Sequence, residues 1–129
     1  MKFTLATKKN MTQFFAENGE VHPATILEVS PISVTAVKTK EKDGYEAVQV
    51  ASGKQKKERL SKALDGHLKG ESFKTIKEFR TPGGDLAIGA TIACDIFQAG
   101  DVVTISATSK GKGFQGVVKR HGFGGVGQS

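Results

Sequence analysis

Short stretches in which apolar and polar residues alternate recur along the chain, and most of them are rich in β-branched residues. Alternation with a period of two is typical of β-strands, and β-branched side chains favour a pleated surface. Short strands at near-regular spacing, together with one small helix, predict a mainly β fold in the form of a compact β-barrel. The predicted strands cover 2–7, 11–15, 21–29, 33–38, 45–50, 73–80, 91–97 and 102–108.

Dipeptides that favour tight turns separate the first strands. Asn18-Gly19 predicts a two-residue hairpin turn, because both central positions of that turn need positive φ. Asp43-Gly44 ends the charged segment 40–44 with a second pair of this kind. Segments 8–10 and 82–85 are predicted as a turn and a loop. These signals indicate that successive strands run antiparallel.

One segment, 54–68, has the period of a helix instead. Leu60, Ala63 and Leu64 fall at the spacing that gathers one apolar stripe. The segment also carries five basic residues, which form either a second phosphate-facing surface or an ordinary solvated helix face. We call this set the secondary basic surface, and it consists of Lys54, Lys56, Lys57, Arg59 and Lys62.

The positive charge is concentrated at the end of the sequence. Of 129 residues, 19 are basic and 13 acidic, but residues 102–129 contain four basic residues and no acidic one. A balanced body with a basic end predicts one folded domain that presents a nucleic-acid contact surface. The sequence contains no apolar run near the roughly 20 residues of a membrane span and no signal peptide, so we expect a cytosolic protein.

Cysteine and histidine usage predicts no metal site and no cofactor. Cys94 is the only cysteine, which excludes an internal disulfide and a multi-cysteine zinc site. Its alternating surroundings predict a buried, unreactive thiol in a strand. His22, His67 and His121 are far apart and lack the spacing of metal ligands.

Segment 109–125, SKGKGFQGVVKRHGFGG, is the most unusual part of the sequence, and we call it the basic glycine-rich segment. Glycine permits close backbone approach but has a high ordering entropy, so such a segment normally becomes fixed against a partner. Positive charge interleaved with aromatic rings favours nucleic acid as that partner, particularly single-stranded or irregular RNA. The alternative is that Phe114 and Phe123 are ordinary core residues.

Two catalytic interpretations of this segment lack the context that they need. Residues 111–116 match GxGxxG, but that motif binds a dinucleotide only where a helix begins within it and an acidic residue follows about 20 positions later. The glycines after residue 121 are expected to stop any helix, and no acidic residue follows. Ser109, His121 and Asp101 are not surrounded by any nucleophile motif. We therefore predict no enzyme activity and no small-molecule substrate.

Segment 108–120, TSKGKGFQGVVKR, closely resembles the TSKGKGFxGxVKR segment of the bacterial form of the L three family of large-subunit ribosomal proteins. Three weaker resemblances occur in the same order as in that family: KNMTQFF at 9–15, DGYEAVQV at 43–50 and GHL at 66–68. One departure is Asn10, which stands where the family usually has glycine; asparagine tolerates positive φ better than most residues.

The resemblance implies a six-stranded Greek-key barrel of the translation-protein type, at 1–108, and a basic extension that begins at 109–129. It also implies a structural role without catalysis. The expected partners are large-subunit rRNA and neighbouring ribosomal proteins, with no membrane and no homo-oligomer. The extension would run toward the peptidyl transferase region, and binding would occur early in subunit assembly. The rRNA-binding residues that it implies are Ser109, Lys110, Gly111, Lys112, Gly113, Phe114, Gly116, Lys119, Arg120, His121 and Phe123.

The family continues beyond this point, through the tip of the extension and back to further barrel strands. We therefore expect the sequence to be a piece of a longer protein, with 126–129 resembling a Gly-Gln region near that tip. A different class of function stays open: a β-barrel adaptor that recruits a protein partner through its sheet edge, with the basic end only increasing solubility.

Overall fold

The computed structural model describes residues 2–82 and 86–127. Most of the predicted loop 82–85 lies outside these residues. The chain forms two compact units, Met1–Ala99 and Gly100–Ser129. The prediction of a mainly β protein is confirmed, with six strands and three short α-helices in the described residues. In chain order these are β1 (Ala6–Phe15), β2 (Val21–Val29), β3 (Ile32–Lys38), α1 (Lys40–Asp43), β4 (Ala47–Lys54), α2 (Lys62–His67), β5 (Phe73–Phe79), β6 (Thr91–Ile92) and α3 (Val117–His121).

β1 and β2 form an antiparallel hairpin, as the sequence predicts, although its turn differs from the predicted one. The Gly19 N–H donates to the Ala16 carbonyl, and the Ala16 N–H donates to the Glu20 carbonyl, both at 2.9 Å. Three residues therefore form the turn, and only Gly19 has positive φ, at 83°. The Asn18 side chain instead accepts a hydrogen bond from the Glu20 N–H at 3.1 Å.

The turn predicted at 8–10 is a β-bulge within β1. The pairing register with β2 shifts between Lys8 and Asn10, so one extra residue is accommodated while the strand continues. The strand predicted at 2–7 is wrong over residues 2–5, since β1 begins at Ala6. Phe3 packs on the protein core instead, and its ring stacks on Phe79 with the centroids 4.5 Å apart.

The other four strands form one sheet in the order β5-β4-β3-β6, with antiparallel neighbours. Its core consists of Ile32, Val34, Val48 and Val50, each fully buried. β3 and β4 are the two central strands and supply all four residues. Partly buried side chains pack around them, including Leu5, Val37, Leu86 and Ile92. Burial of this cluster is the main stabilising contribution to the first unit.

The helix predicted over 54–68 is much shorter in the structure. Lys54 still belongs to β4, where it lies opposite Phe73, and 57–59 forms only a 3-10 turn. The α-helix begins after Ser61, whose hydroxyl accepts a hydrogen bond from the Leu64 N–H at 3.3 Å. Strand pairing thus removes the start of the predicted helix, and this N-cap fixes its first residue.

Two predicted strands lack partners over most of their length. β6 ends at Ile92 because Ile92 pairs with Ile32, the first residue of β3, and Pro31 before it has no N–H to continue the ladder. Cys94 follows in a 3-10 turn and is exposed, which corrects the prediction of a buried thiol in a strand. Residues 102–108 form no strand, since no described segment pairs with them. Alternation alone does not supply a pairing partner.

Within the described residues the six strands form two separate sheets, of two and four strands, and no closed barrel is seen. None of the helices in residues 2–82 and 86–127 is long and apolar enough to cross a membrane.

Candidate nucleic-acid interface

The basic glycine-rich segment lies in the second unit and is exposed along its length, with only Gln115 partly buried. Its four cations, Lys110, Lys112, Lys119 and Arg120, form no ion pair with any carboxylate in the described ranges. Lysine and arginine heads that lack a carboxylate partner attract anions from solution. The segment therefore presents positive charge that the described part of the protein does not neutralise.

A short helix orders the centre of this segment. α3 begins after Gly116, whose carbonyl accepts a hydrogen bond from the Arg120 N–H at 3.0 Å. It ends at Gly122, which has the left-handed φ of 67° and donates its N–H to the Val118 carbonyl at 3.1 Å. Glycine adopts this conformation at the C-terminus of a helix without steric cost. The cations Lys119 and Arg120 occupy the last turn, where the helix dipole favours them.

α3 corrects the expectation that glycines would prevent any helix after the GxGxxG match. The helix has only five residues, and no strand precedes the match because 102–108 is irregular. A dinucleotide fingerprint requires both a strand before the glycines and a longer helix after them. The arrangement is therefore that of a capped helical turn within an extended segment.

The aromatic rings of this segment face solvent, which argues against the alternative that they are core residues. Phe114 is fully exposed, and Phe123 is 61% exposed. The rings of His121 and Phe123 lie next to each other, with centroids 5.9 Å apart and a tilt of 39°. Exposed ring faces beside cations are suited to stacking with nucleic-acid bases.

The chain after α3 brings Gly125 close to Val118. A Cβ added at Gly125 would lie 3.5 Å from the Val118 Cγ2, an ordinary van der Waals contact, and Gly125 itself has φ of 64°. A Cβ added at Gly111, Gly113 or Gly116 would meet no atom of the described residues within 4 Å, apart from the chain neighbours. These positions are open to another backbone or a phosphate.

The secondary basic surface lies in the first unit, and its residues do not share a helix face. Lys54 ends β4, Lys56 precedes the 3-10 turn that contains Lys57 and Arg59, and Lys62 is the first residue of α2. All five are exposed. Lys57 forms an ion pair with Asp65 at 3.5 Å, and the other four have no ion pair within the part of the chain that the structure describes.

A polar network on one face of the four-stranded sheet is absent from the sequence predictions. Gln49 is 93% buried, and its side-chain oxygen accepts a hydrogen bond from the Thr35 hydroxyl at 2.9 Å. The same oxygen lies 2.9 Å from His67 Nε2 of α2. The Gln49 amide nitrogen donates to Glu78 at 3.3 Å. The network links α2 to the sheet, and the bulge between Val34 and Ala36 is what accommodates Thr35.

Glu78 also connects this network to two side chains, Lys38 at the end of β3 and Tyr45 before β4. The Tyr45 hydroxyl donates to Glu78 at 2.8 Å and accepts from the Lys38 ammonium at 2.6 Å, and Lys38 lies 3.0 Å from Glu78. The hydrogen bond from Tyr45, followed by that from Lys38, lowers the pKa of Glu78. The hydrogen bond with Tyr45 and that with Glu78 raise the pKa of Lys38 above its ordinary value.

The lowered pKa of Glu78 predicts a pH-dependent contribution to stability. A carboxylate with a depressed folded pKa stabilises the fold above its unfolded pKa, and this contribution is lost as the pH falls through the folded pKa. Urea denaturation of wild type and Glu78→Gln should therefore show a difference in free energy of unfolding at neutral pH that shrinks below about pH 4. A difference that stayed constant from pH 7 to about pH 3 would contradict the ion pair.

Comparisons with known proteins cover nearly the whole chain. No family model matches it. Proteins named "Large ribosomal subunit protein uL3" from Herpetosiphon aurantiacus, Syntrophus aciditrophicus and Thioalkalivibrio sulfidiphilus are each 45% identical to it, over 124, 129 and 122 residues. The alignments include 94%, 96% and 90% of the chain. Over this span, the chain belongs to the uL3 family.

The chain spans 57% to 59% of the length of these uL3 relatives. The family resemblance predicted from the sequence is thus confirmed. Two of the weaker uL3-like segments, DGYEAVQV and GHL, contact each other in the polar network. Gln49 of the first lies within hydrogen-bond distance of His67 of the second, and Tyr45 of the first joins the network through Glu78. These resemblances therefore reflect a structural contact in the first unit.

Proposed function

We propose that this chain acts as a structural constituent of the large ribosomal subunit and binds large-subunit rRNA. The observation that carries the proposal is the basic glycine-rich segment, whose four cations lack carboxylate partners in the described residues and whose Phe114 and Phe123 rings face solvent. The name of the uL3 relatives supports the same assignment, because it places those proteins in the large subunit.

Each part of the segment has a distinct task in this proposal. The cations neutralise phosphates and release counterions, which gives affinity that does not depend on sequence. Gly111, Gly113 and Gly116 let the backbone approach closely, and Ser109 adds a hydroxyl next to the first lysine. The rings of Phe114, His121 and Phe123 stack on bases that are not paired. The segment acts by binding and positioning, with no catalytic step, cofactor or metal.

The finer elements of the proposal concern organisation in the ribosome. Residues 1–108 form a six-stranded Greek-key barrel when complete, and 109–129 start an extension that runs between rRNA helices toward the peptidyl transferase centre. Binding takes place early in subunit assembly in the cytoplasm, beside neighbouring ribosomal proteins. Support comes from the TSKGKGF segment and from six antiparallel strands in the first unit.

The second candidate function is an adaptor that binds a protein through a sheet edge. The β1-β2 hairpin favours it, because Met11, Phe14 and Phe15 are exposed and every residue of β1 is exposed. An isolated two-stranded hairpin is only marginally stable in water, so a covering partner would stabilise it. Binding of this kind depends on apolar contact and varies little with salt.

Salt dependence separates the two functions. We expect the affinity of the chain for large-subunit rRNA to fall linearly on logarithmic axes between about 50 and 200 mM salt, with a slope of about 0.7 to 0.9 per neutralised phosphate. Filter binding with purified rRNA measures it. A slope near zero would contradict the rRNA-binding proposal, and binding to an rRNA-free protein fraction would then favour the adaptor.

A further inference from the structure

The basic residues of the first unit are concentrated in one stretch, although the net charge of the unit is close to zero. Residues 54–77 contain eight basic and three acidic side chains, a net charge of +5. The rest of residues 1–101 contains seven basic and ten acidic side chains, a net charge of −3. The secondary basic surface accounts for five of the eight cations, and Lys69, Lys74 and Lys77 are the others. The charge is therefore separated within the unit.

Pairing between β4 and β5 brings the two parts of this stretch together. Lys54 lies opposite Phe73, and the Gln55 N–H donates to the Ser72 carbonyl at 3.2 Å. The Gln55 side chain in turn donates to the Arg59 carbonyl at 3.4 Å. Lys74 lies against Gly53, where an added Cβ would be 3.3 Å from the Lys74 Cβ. The segments before and after α2 are thus joined at the start of β5.

We call the stretch around this edge the β5-edge surface and define it by six exposed cations: Lys54, Lys56, Arg59, Lys69, Lys74 and Lys77. Lys54 and Lys77 project from one face of the sheet and Lys74 from the other, so these cations flank the edge rather than share one face. None of the six forms an ion pair within residues 2–82 and 86–127. β5 is the last strand on its side of the described sheet. The surface is therefore open to solvent and positively charged.

Lys69 adopts a backbone conformation that lysine rarely adopts. Its φ is 53°, and it is the only non-glycine residue with positive φ in the described ranges. The position follows α2, in a turn where glycine would fit without steric cost. Residues held in such sparsely populated conformations cluster at functional sites. Here the Lys69 side chain is a cation on the β5-edge surface.

We propose that the β5-edge surface binds the phosphate backbone of double-helical RNA, separately from the basic glycine-rich segment. This inference rests on the proposed rRNA-binding function. The surface differs from the segment in its aromatic residues: Phe73 is partly buried, and His67 contacts Gln49. None of the six residues that define the surface is aromatic, so the surface contacts phosphates rather than bases, and double-helical RNA is recognised largely through its backbone and shape.

Two RNA probes test this division. One is an RNA hairpin of about 16 base pairs, and the other is a uridine-rich single strand with as many phosphates. The triple variant Lys54→Ala, Lys74→Ala and Lys77→Ala should bind the hairpin on the order of 100-fold more weakly near 0.1 M salt, with the salt slope lower by about 2 to 3. Its binding to the single strand should be unchanged.

The matched control removes the same charge elsewhere in the first unit, by Lys8→Ala, Lys40→Ala and Lys42→Ala. All three of these lysines are exposed and lie outside the β5-edge surface. Equal loss of hairpin affinity in the control and the triple variant would overturn the proposal, because net charge alone would then explain it. An equal loss of affinity for both RNA probes in the triple variant would overturn the assignment of double-helical RNA to this surface.

Lys69→Gly tests the same proposal without a risk to folding. The substitution removes one cation and relieves the left-handed strain, so the melting temperature should stay the same or rise. Hairpin affinity should nevertheless fall about five- to eightfold near 0.1 M salt. Unchanged hairpin affinity would overturn the role of Lys69. Failure of the proposed rRNA-binding function would look different, because the wild-type chain would then bind neither RNA probe.

Lysines on a sheet edge also discourage edge-to-edge association, which is the competing explanation for Lys74 and Lys77. That explanation predicts that the triple variant aggregates while its monomer keeps full affinity for the hairpin. Light scattering alongside the binding measurement distinguishes RNA binding from protection against association. Aggregation of the triple variant with full affinity of its monomer for the hairpin would overturn the RNA-binding proposal.

Discussion

Alanine at Lys110, Lys112, Lys119 and Arg120 together is expected to lower affinity for large-subunit rRNA by on the order of 100- to 1,000-fold near 0.1 M salt. The slope of log affinity against log salt should fall by about 3, since each lost phosphate contact removes about 0.7 to 0.9. The fold should be preserved, because all four side chains are exposed and none has an ion pair in the described residues. Filter binding across a salt series measures both quantities.

A charge-preserving variant is the control for this experiment. Lys110→Arg, Lys112→Arg, Lys119→Arg and Arg120→Lys change every side chain but keep four positive charges. The salt slope of this variant should equal that of wild type, because counterion release depends on charge rather than on the shape of the cation. If the alanine variant instead kept the wild-type affinity and slope, the basic glycine-rich segment would have no part in RNA binding.

The sequence predicted local pairing well where a turn and its two strands are close together. Asn18-Gly19 predicted the hairpin of β1 and β2, although three residues form the turn because Ala16 and Glu20 close it. Asp43-Gly44 predicted the reversal before β4, although residues 40–43 form α1 instead of a two-residue turn and only Gly44 of the pair has positive φ, at 79°. Glycine conformation and strand alternation are local properties, so they can be read from neighbouring residues.

The predictions failed where structure depends on residues that are distant in the sequence. Residues 102–108 alternate like a strand but have no pairing partner in the described chain. The helix predicted from Lys54 loses its first residue to a pairing with Phe73 in β5. The polar network around Gln49 joins β4, β5 and α2, and no periodicity marks its members. Tertiary contacts decide each of these cases over local propensity.

The candidate site was predictable in composition but not in local structure. Charge and glycine content pointed to 109–125, and the structure leaves its rings and cations exposed. The helical turn α3 was not expected, because the glycines after residue 121 suggested that no helix would form. Glycines instead mark its ends: Gly116 precedes the first turn and Gly122 adopts the left-handed conformation after the last. The position of the glycines relative to Val117–His121, rather than their number, determines that a helical turn forms there.

Ile32→Ala should strongly destabilise the first unit, with a loss of about 2 to 5 kcal/mol in free energy of unfolding. Ile32 is fully buried in the cluster with Val34, Val48 and Val50, and it also pairs with Ile92 of β6. Removing its side chain leaves a cavity at the point where β6 docks. Domains of this size have a total stability of about 5 to 15 kcal/mol, so the loss is a large fraction of it.

The matched control is Ile105→Ala, the same chemical change at a residue that is 65% exposed in the second unit. It should change the free energy of unfolding by less than about 0.5 kcal/mol, because no buried contact is lost. Urea denaturation followed by circular dichroism compares the two, and the m-value should be unchanged if only stability differs. Equal midpoints for Ile32→Ala and wild type would mean that the β3-β4 cluster is not the core. In that case the stability of the first unit would have to come from contacts other than the four buried residues of its central strands.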